Sequence, residues 1–399
     1  MKCLPIQKKQ GWKEDKLSSF ITDFIVPQRD KPKLFGGDIP WCRIEDFNGI
    51  YLTDSKSKLS VNKEIIQKMG LRVYPTNTIL VSCSADLGRC AIVGRPLVTN
   101  QTFIGLVPSD RVDPLFLYYY MTNLAPVLNE MASGATIKYL SKKKFQDLRI
   151  CFPKILEQQR IVGILDETFD GIATAKANAE KNLQNSRVLF ESYLQSVFTK
   201  RGEGWVDRTL DQVCVVERGS SPRPIKKYFT TAPTGVNWIK IGDTEEGGKF
   251  VYSTAQKITP DGAKQSRFVK EGDFILTNSM SFGRPYIMKT SGYIHDGWFV
   301  LRLNASIDAD YFYYLLSSRF VQSQFAQLAS GSVVKNISSD LVKKAVLPIP
   351  PLAHQHVIVK KLLEISAETQ RLESIYQSKL IALDELKKSL MDQAFTGAL

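Results

Sequence analysis

The side chains best equipped for chemistry in this sequence are cationic and polar groups on turn-rich stretches. In the N-terminal half they are Arg29, Lys31, Lys33, Ser84, Arg89, Thr136 and Lys138. In the C-terminal half they are Ser220, Arg223, Lys226, Lys227, Asn278, Ser281, Arg284, Lys335 and Asn336. Arg, Lys, Asn and Ser on loops or strand ends are the groups that enter a DNA groove, some reading base edges and others holding phosphates. Gly88 and Gly283, just ahead of Arg89 and Arg284, read as turn residues. Tyr118 to Tyr120 and Tyr313-Tyr314 read as core residues rather than platforms for bases.

Catalytic patterns are missing. Gly242 to Lys249 superficially suggests a phosphate loop, but a second glycine precedes the lysine and Phe250 stands where a magnesium-binding Ser or Thr belongs. Pro260-Asp261 followed by Lys264 lacks the second acid and lysine of a nuclease. His295, His354 and His356 have no nucleophile or carboxylate arranged around them, and there is no Asn-Pro-Pro-aromatic methyltransferase motif or Gly-x-Gly adenosylmethionine loop. The six cysteines are scattered without a CxxC pair, so no closed zinc site is expected. The chain is expected to perform no chemistry itself and to hold no cofactor or metal. Reduced thiols, no apolar leader after Met1 and no run near the roughly 18 apolar residues of a membrane span predict a cytoplasmic chain without membrane contact.

The elements that must position these groups occur twice. Apolar residues at Ile161, Leu165, Ile172, Ala175, Ala179, Leu189 and Tyr193 predict a long helix from about Ile155 to Lys200. Ile358, Leu362, Ile365, Leu372, Tyr376, Leu383, Leu386 and Leu390 predict another from Leu352 to Phe395. Ile358 minus Ile161 and Leu386 minus Leu189 both give 197, so the two stripes share a register. A sustained 3-4 spacing is a coiled-coil seam, and helices of this length reach roughly 60 Å. They most simply pack as an antiparallel pair.

The repeat extends upstream of the helices. Ala132 to Lys138 matches Ala329 to Lys335, Thr78-Ile79-Leu80 with Gly88-Arg89 matches Phe274-Ile275-Leu276 with Gly283-Arg284, and Pro40-Trp41 matches Asn237-Trp238. Within each copy, β-rich runs such as Thr78 to Ser82 and Phe274 to Met288 alternate with tyrosine-rich helices at Leu115 to Glu130 and Tyr311 to Leu328. Gly11 to Ile25 reads as an amphipathic start. The net charge of the 399 residues is +13. Residues 11–153 hold 19 basic against 14 acidic side chains and residues 204–350 hold 18 against 13, so each copy carries +5. A positive charge repeated on both copies suits a polyanion.

The ordered duplication resembles the specificity subunit of type I restriction–modification systems. The resemblance rests on the strand and polar turn ending in Gly-Arg, the Ala-Ser-Gly-x-x-x-Lys segments, the proline passages Pro153 and Pro348 to Pro351, and the entries Gln158-Gln159-Arg160-Ile161 and Gln355-His356-Val357-Ile358. It implies a mixed α/β fold of two pseudo-symmetric target recognition domains separated by two long antiparallel coiled-coil helices. The expected boundaries are 1–153 and 204–350 for the recognition domains, and 154–203 and 351–399 for the helical spacers. It further implies a non-catalytic reader of a bipartite, asymmetric site in double-stranded DNA, docked to two methyltransferase subunits, with restriction subunits in the full complex. A related system with a fused methyltransferase–nuclease partner, or a nuclease with an unrecognised active site, are the alternatives. His354 and His356 depart from the Glu157 and Gln159 of the first copy.

Overall fold

The computed structural model describes residues 11–27, 31–84, 86–132, 139–245, 247–278, 283–329 and 338–399. They form two compact units, Met1–Ala179 with Ser378–Leu399, and Glu180–Gln377. In the first unit a five-stranded sheet runs in the order Ile21–Ile25, Phe103–Pro108, Ile79–Ser82, Cys90–Val93, Tyr51–Leu52. Its central strands are buried on both faces, as their near-continuous apolar sequences require. Alternate residues serve different neighbours. Ile79, Val81, Ile104 and Leu106 join a core with Phe116, Leu117 and Tyr120, and Leu80, Ala91, Val93 and Phe103 join one with Cys42 and Tyr74. Phe116, Leu117 and Tyr120 lie on the tyrosine helix, Pro114–Asn123, which Asp113 caps by accepting from the Leu115 and Phe116 amides. A second sheet, ordered Ser60–Val61, Ile39–Cys42, Val98–Thr99, stands beside the first.

The second unit repeats this plan. Its core sheet is ordered Cys214–Arg218, Trp298–Leu303, Phe274–Thr277, Pro285–Met288, Phe250–Val251. The register is kept as well: Ile79 faces Leu106 and Phe274 faces Leu301, both shifted by 195. Its second sheet has five strands instead of three, gaining Phe229–Thr230 and Arg267–Val269 at its edges. The tyrosine helix, Ala309–Ser317, is separated by Ser318 from a following helix, Arg319–Ala329, where one continuous helix was expected. The expected amphipathic start at Gly11 is instead two strands, Lys13–Lys16 and Ile21–Ile25, around one helical turn.

The long helices span Ile155–Thr199 and Leu352–Thr396. Within the first unit Arg160 donates to the Leu399 carbonyl at 3.1 Å, and Lys176 meets Asp384 at 2.7 Å. Facing numbers run in opposite senses, so the segments are antiparallel. Within the second unit Arg187 meets Glu373, and Leu194 and Phe198 share a core with Val359 and Leu362. Two seam expectations fail. Leu189 and Leu386 are 55% and 46% exposed, while Ser186 and Thr369 are buried. An α-helix turns every 3.6 residues, so a strict 3.5-residue stripe drifts off the contact line by about 20° per heptad. Phe190, Leu194 and Phe198 replace Leu189 on the packed face.

Candidate nucleic-acid interface

The expected polar residues fall into three groups. Arg29, Thr136, Lys138, Ser281, Lys335 and Asn336 lie outside the described residues. In the first domain Lys31 places its ammonium 5.7 Å from the Phe35 ring and 5.6 Å from the Trp41 ring, an arrangement that holds a cation at the loop surface. Lys33 is exposed beside it. Ser84 forms a backbone bridge to Tyr139. Arg89 lies over Phe47, and its guanidinium reaches Asp86 and the Phe47 carbonyl, each at 3.4 Å. Gly88 has φ +83°, and a Cβ there would lie 2.6 Å from that of Ala125, so the turn needs glycine twice over.

In the second domain the residues converge more tightly. The Gly219 amide donates to the Trp298 carbonyl at 2.8 Å, and a Cβ on Gly219 would come within 2.0 Å of the His295 oxygen. Ser220 donates to the Gln265 carbonyl at 2.9 Å, and Ser221 donates to the Asp296 carboxylate at 2.9 Å. Arg223 reaches the same carboxylate at 3.4 Å and is otherwise 83% exposed. Lys226 and Lys227 are exposed on the turn Ile225–Lys227. Asn278 is buried. Its amide nitrogen donates to the Asp296 carbonyl at 3.2 Å, and its Oδ1 accepts no hydrogen bond among the described residues. Ser221, Arg223 and Asn278 are therefore gathered on one turn, His295 to Gly297, while Ser220 is held apart from it at Gln265. Burial raises the Asp296 pKa, but the Ser221 hydrogen bond, its own amide, His295 and Arg223 together hold it below the usual carboxylate range.

Arg284 is not part of this cluster in the contacts described. Its amide donates to Thr277, and it lines a cleft of about 410 Å³ with Glu191, Tyr286 and Tyr313. The matching arginines, Arg89 and Arg284, thus have different surroundings despite equivalent turns.

Sequence reasoning passed over Ser221 and Asp296, because nothing in the sequence connects residues 75 positions apart. It also marked two buried glutamines only as helix entries and gave them no clasping role. Gln158 accepts from the Asp113 amide at 2.9 Å and donates to the carbonyls of Arg111 at 3.0 Å and Pro153 at 2.9 Å. Gln355 repeats this with Asp308, Ser306 and Pro350 at 2.8, 3.3 and 2.9 Å. Each clasps the tyrosine-helix cap and the proline passage onto a long helix. The signal was present in the paired entries Gln158-Gln159 and Gln355-His356.

Pocket chemistry is poorly supported. Asp243, inside the glycine-rich Gly242 to Lys249 run, accepts from the Lys240 and Ala255 amides as Asp46 does from Arg43 and Lys56. That carboxylate closes a turn and would repel a phosphate. Burial pushes the thiols of Cys42, Cys90 and Cys214 up to about 12 and that of Cys83 to about 11, so they are poor nucleophiles. Among the described residues no group of three His, Cys, Asp or Glu side chains could hold a metal ion, and no helix is long and apolar enough to cross a membrane.

Two copies of an α/β domain built on two larger sheets and a two-stranded ribbon, each with a tyrosine helix clasped to a long helix, define a duplicated fold with its polar loops gathered at strand ends. The chain belongs to the type I restriction modification DNA specificity domain family, whose model matches residues 12–184 and 202–378. It is 25% identical over 94% of its length to the type I restriction enzyme MjaIX specificity subunit of Methanocaldococcus jannaschii, covering 90% of that protein. It is 22% identical to the EcoBI specificity subunit of Escherichia coli, over 83% of this chain and 75% of that one. The fold matches the HsdS subunit from Thermoanaerobacter tengcongensis with a TM-score of 0.72 at 16% identity, covering 99% of both chains. A structure described as the basis of complex assembly and conformational transition of the type I R-M system matches at 0.75 and 17% identity, covering 99% of this chain and 100% of that one.

Proposed function

We propose that this chain is the non-catalytic DNA-recognition subunit of a type I restriction–modification complex, reading a bipartite, asymmetric site in double-stranded DNA. The observation that carries the reading is duplication with divergence: one core-sheet strand order and register in both domains, but different polar loops at their strand ends. Equivalent scaffolds present two readers. Unlike loops, Lys31 and Arg89 in one and the Ser221–Arg223–Asp296 cluster in the other, read unlike half-sites. Residues 1–153 and 204–350 serve as recognition domains, and residues 154–203 and 351–399 as helical spacers. The helical regions dock two methyltransferase subunits, with restriction subunits joining that core, and the complex works in the cytoplasm. Linking two weak readers raises affinity through effective concentration.

The DNA contacts proposed are Lys31, Lys33, Ser84, Arg89, Ser220, Arg223, Lys226, Lys227, Asn278 and Arg284, with Arg29, Thr136, Lys138, Ser281, Lys335 and Asn336 on the segments outside the described residues. Lysines neutralise phosphates and set the salt dependence. Arginine and asparagine supply the paired donors and acceptors that tell bases apart. Genome-wide mapping of DNA modification with the gene intact and deleted tests the reading. Loss of one split motif, methylated in both halves, is expected; an unchanged methylome in a host whose methyltransferase partner is expressed would refute it.

A further inference from the structure

Asp296 sits on the turn between the strands Gly292–Ile294 and Trp298–Leu303. It grips the second domain's basic loop through both side chain and backbone. Its carboxylate accepts from the Ser221 hydroxyl at 2.9 Å and from Arg223 at 3.4 Å. Its carbonyl accepts from the Asn278 amide at 3.2 Å and from the Arg218 guanidinium at 3.4 Å. The other side of the loop is pinned where Ser220 donates to the Gln265 carbonyl. Among the described residues Arg223 is touched at one nitrogen only, and it is 83% exposed, so most of its donor fork faces outward.

Among the described residues the first domain shows no such cluster. Asn278 donates its backbone amide to Gly297 at 2.8 Å, and Cys83 donates to Thr102 at 2.8 Å, so the two turns correspond. Shifting Asp296 by the same 195 residues reaches Gln101, which carries no charge.

We propose that Asp296 is a positioning residue for sequence recognition by the second domain: it touches no base, and it aims Arg223 at the acceptor edge of a guanine by holding Ser221 and Arg223 in one geometry. The proposal rests on the reading of the chain as a DNA specificity subunit. A guanidinium aimed in advance loses less freedom on binding than a free one. A carboxylate beside it also offsets part of its charge, so binding to arbitrary phosphate backbone gains less than binding to the matching base.

The test uses the full chain assembled with its methyltransferase. Duplexes carry the mapped site, or that site altered in one half. Wild type is compared with Asp296→Asn, Arg223→Ala, Ser221→Ala and the Asp296→Asn/Arg223→Ala double variant. Arg223→Ala is expected to lower discrimination at one half-site about tenfold, the low end of what a paired arginine–guanine contact supplies. Asp296→Asn should lower discrimination at the same half-site only, with melting temperature and discrimination at the other half unchanged, and the double variant should be no worse than Arg223→Ala alone. Ser221→Ala, which removes one grip and no charge, should give a smaller loss at the same half. Losses that multiply in the double variant would overturn the positioning role, and so would a loss at both halves. A wild-type complex that does not discriminate altered sites at all would refute the underlying DNA reading, and the proposal with it.

Discussion

In the first domain Tyr74 and Leu97 bridge each other, and Gly105 lies under the Tyr74 ring. At the matching places, 195 residues on, the second domain has Val269 paired with Gly292, and Val300. All the non-glycine members are fully buried. One domain fills the space with a large ring over a glycine, and the other with two valines. The backbone fits both, because a core asks for total volume and leaves its division among neighbours open. The same freedom appears at a turn: Asn77 and Gly272 both hold positive φ and both donate to the last carbonyl of the second strand on, Val93 and Met288, at 2.8 and 2.9 Å.

The largest effect should come from forcing one solution onto the other. A Cβ on Gly105 would lie 2.4 Å from the Tyr74 ring, so Gly105→Val is expected to cost about 3 kcal/mol, the upper part of the overpacking range. Adding Tyr74→Val should restore much of that loss, since the pair then copies Val269 and Val300. Hydrogen exchange of the Ile79–Ser82 strand reports it, with the Phe274–Thr277 strand unchanged. Failure of the second substitution to rescue would show that the two cores are not interchangeable.

A smaller and symmetric effect is expected at the clasps. Gln158→Ala and Gln355→Ala each remove three hydrogen bonds and leave a helix-cap amide unpaired, at Asp113 or Asp308. One stranded buried donor costs about 1–3 kcal/mol. The two variants should therefore lower the stability of their own units by nearly equal amounts in denaturant melts. Unequal losses would mean that duplication kept the atoms and not their energetic roles.

Recognition should divide by domain. Arg89→Ala is expected to weaken recognition of one half-site by about 1–2 kcal/mol, within the range for a good arginine–base contact. Arg284→Ala should act, more weakly, on the other half, because Arg284 lines a cleft with Glu191 and Tyr313 while Arg89 lies over Phe47. Binding to duplexes altered in one half separates them, and equal loss at both halves from either variant would break the division.

What the sequence made legible follows from what repetition preserves. Trp41 and Trp238, or Gln158 and Gln355, stand at one offset because topology and backbone hydrogen bonds tolerate little change. The strands, the tyrosine helices and both long helices were readable for that reason. Leu189 and Leu386 misled, since apolar spacing fixes a helix but not which face stays on the seam once its phase drifts. Asp296 was invisible: its partners, Ser221 and Asn278, lie 75 and 18 residues away, and the repeat has no second copy to compare. Loops that read different bases must differ, so the candidate site is where repetition stops informing.

The smallest expected effect is of acidity, and it falls on one unit. All three histidines lie in Glu180–Gln377. Burial lowers the His295 pKa below its ordinary 6.5 and Lys240 adds to this, while Asp296 and Asp243 oppose it. The folded second unit therefore binds this proton less readily than the unfolded chain. Its stability is full above about pH 6.5 and declines as pH falls from there toward the folded value. From pH 7.5 to 5.5, hydrogen-exchange protection factors, which correct for the slower intrinsic exchange at low pH, should fall in the Phe274–Thr277 strand more than in Ile79–Ser82. His295→Gln should remove most of the difference. An equal response of the two strands, or a difference that survives the substitution, would place the pH sensitivity elsewhere than in the turn that gathers the second domain's polar loop.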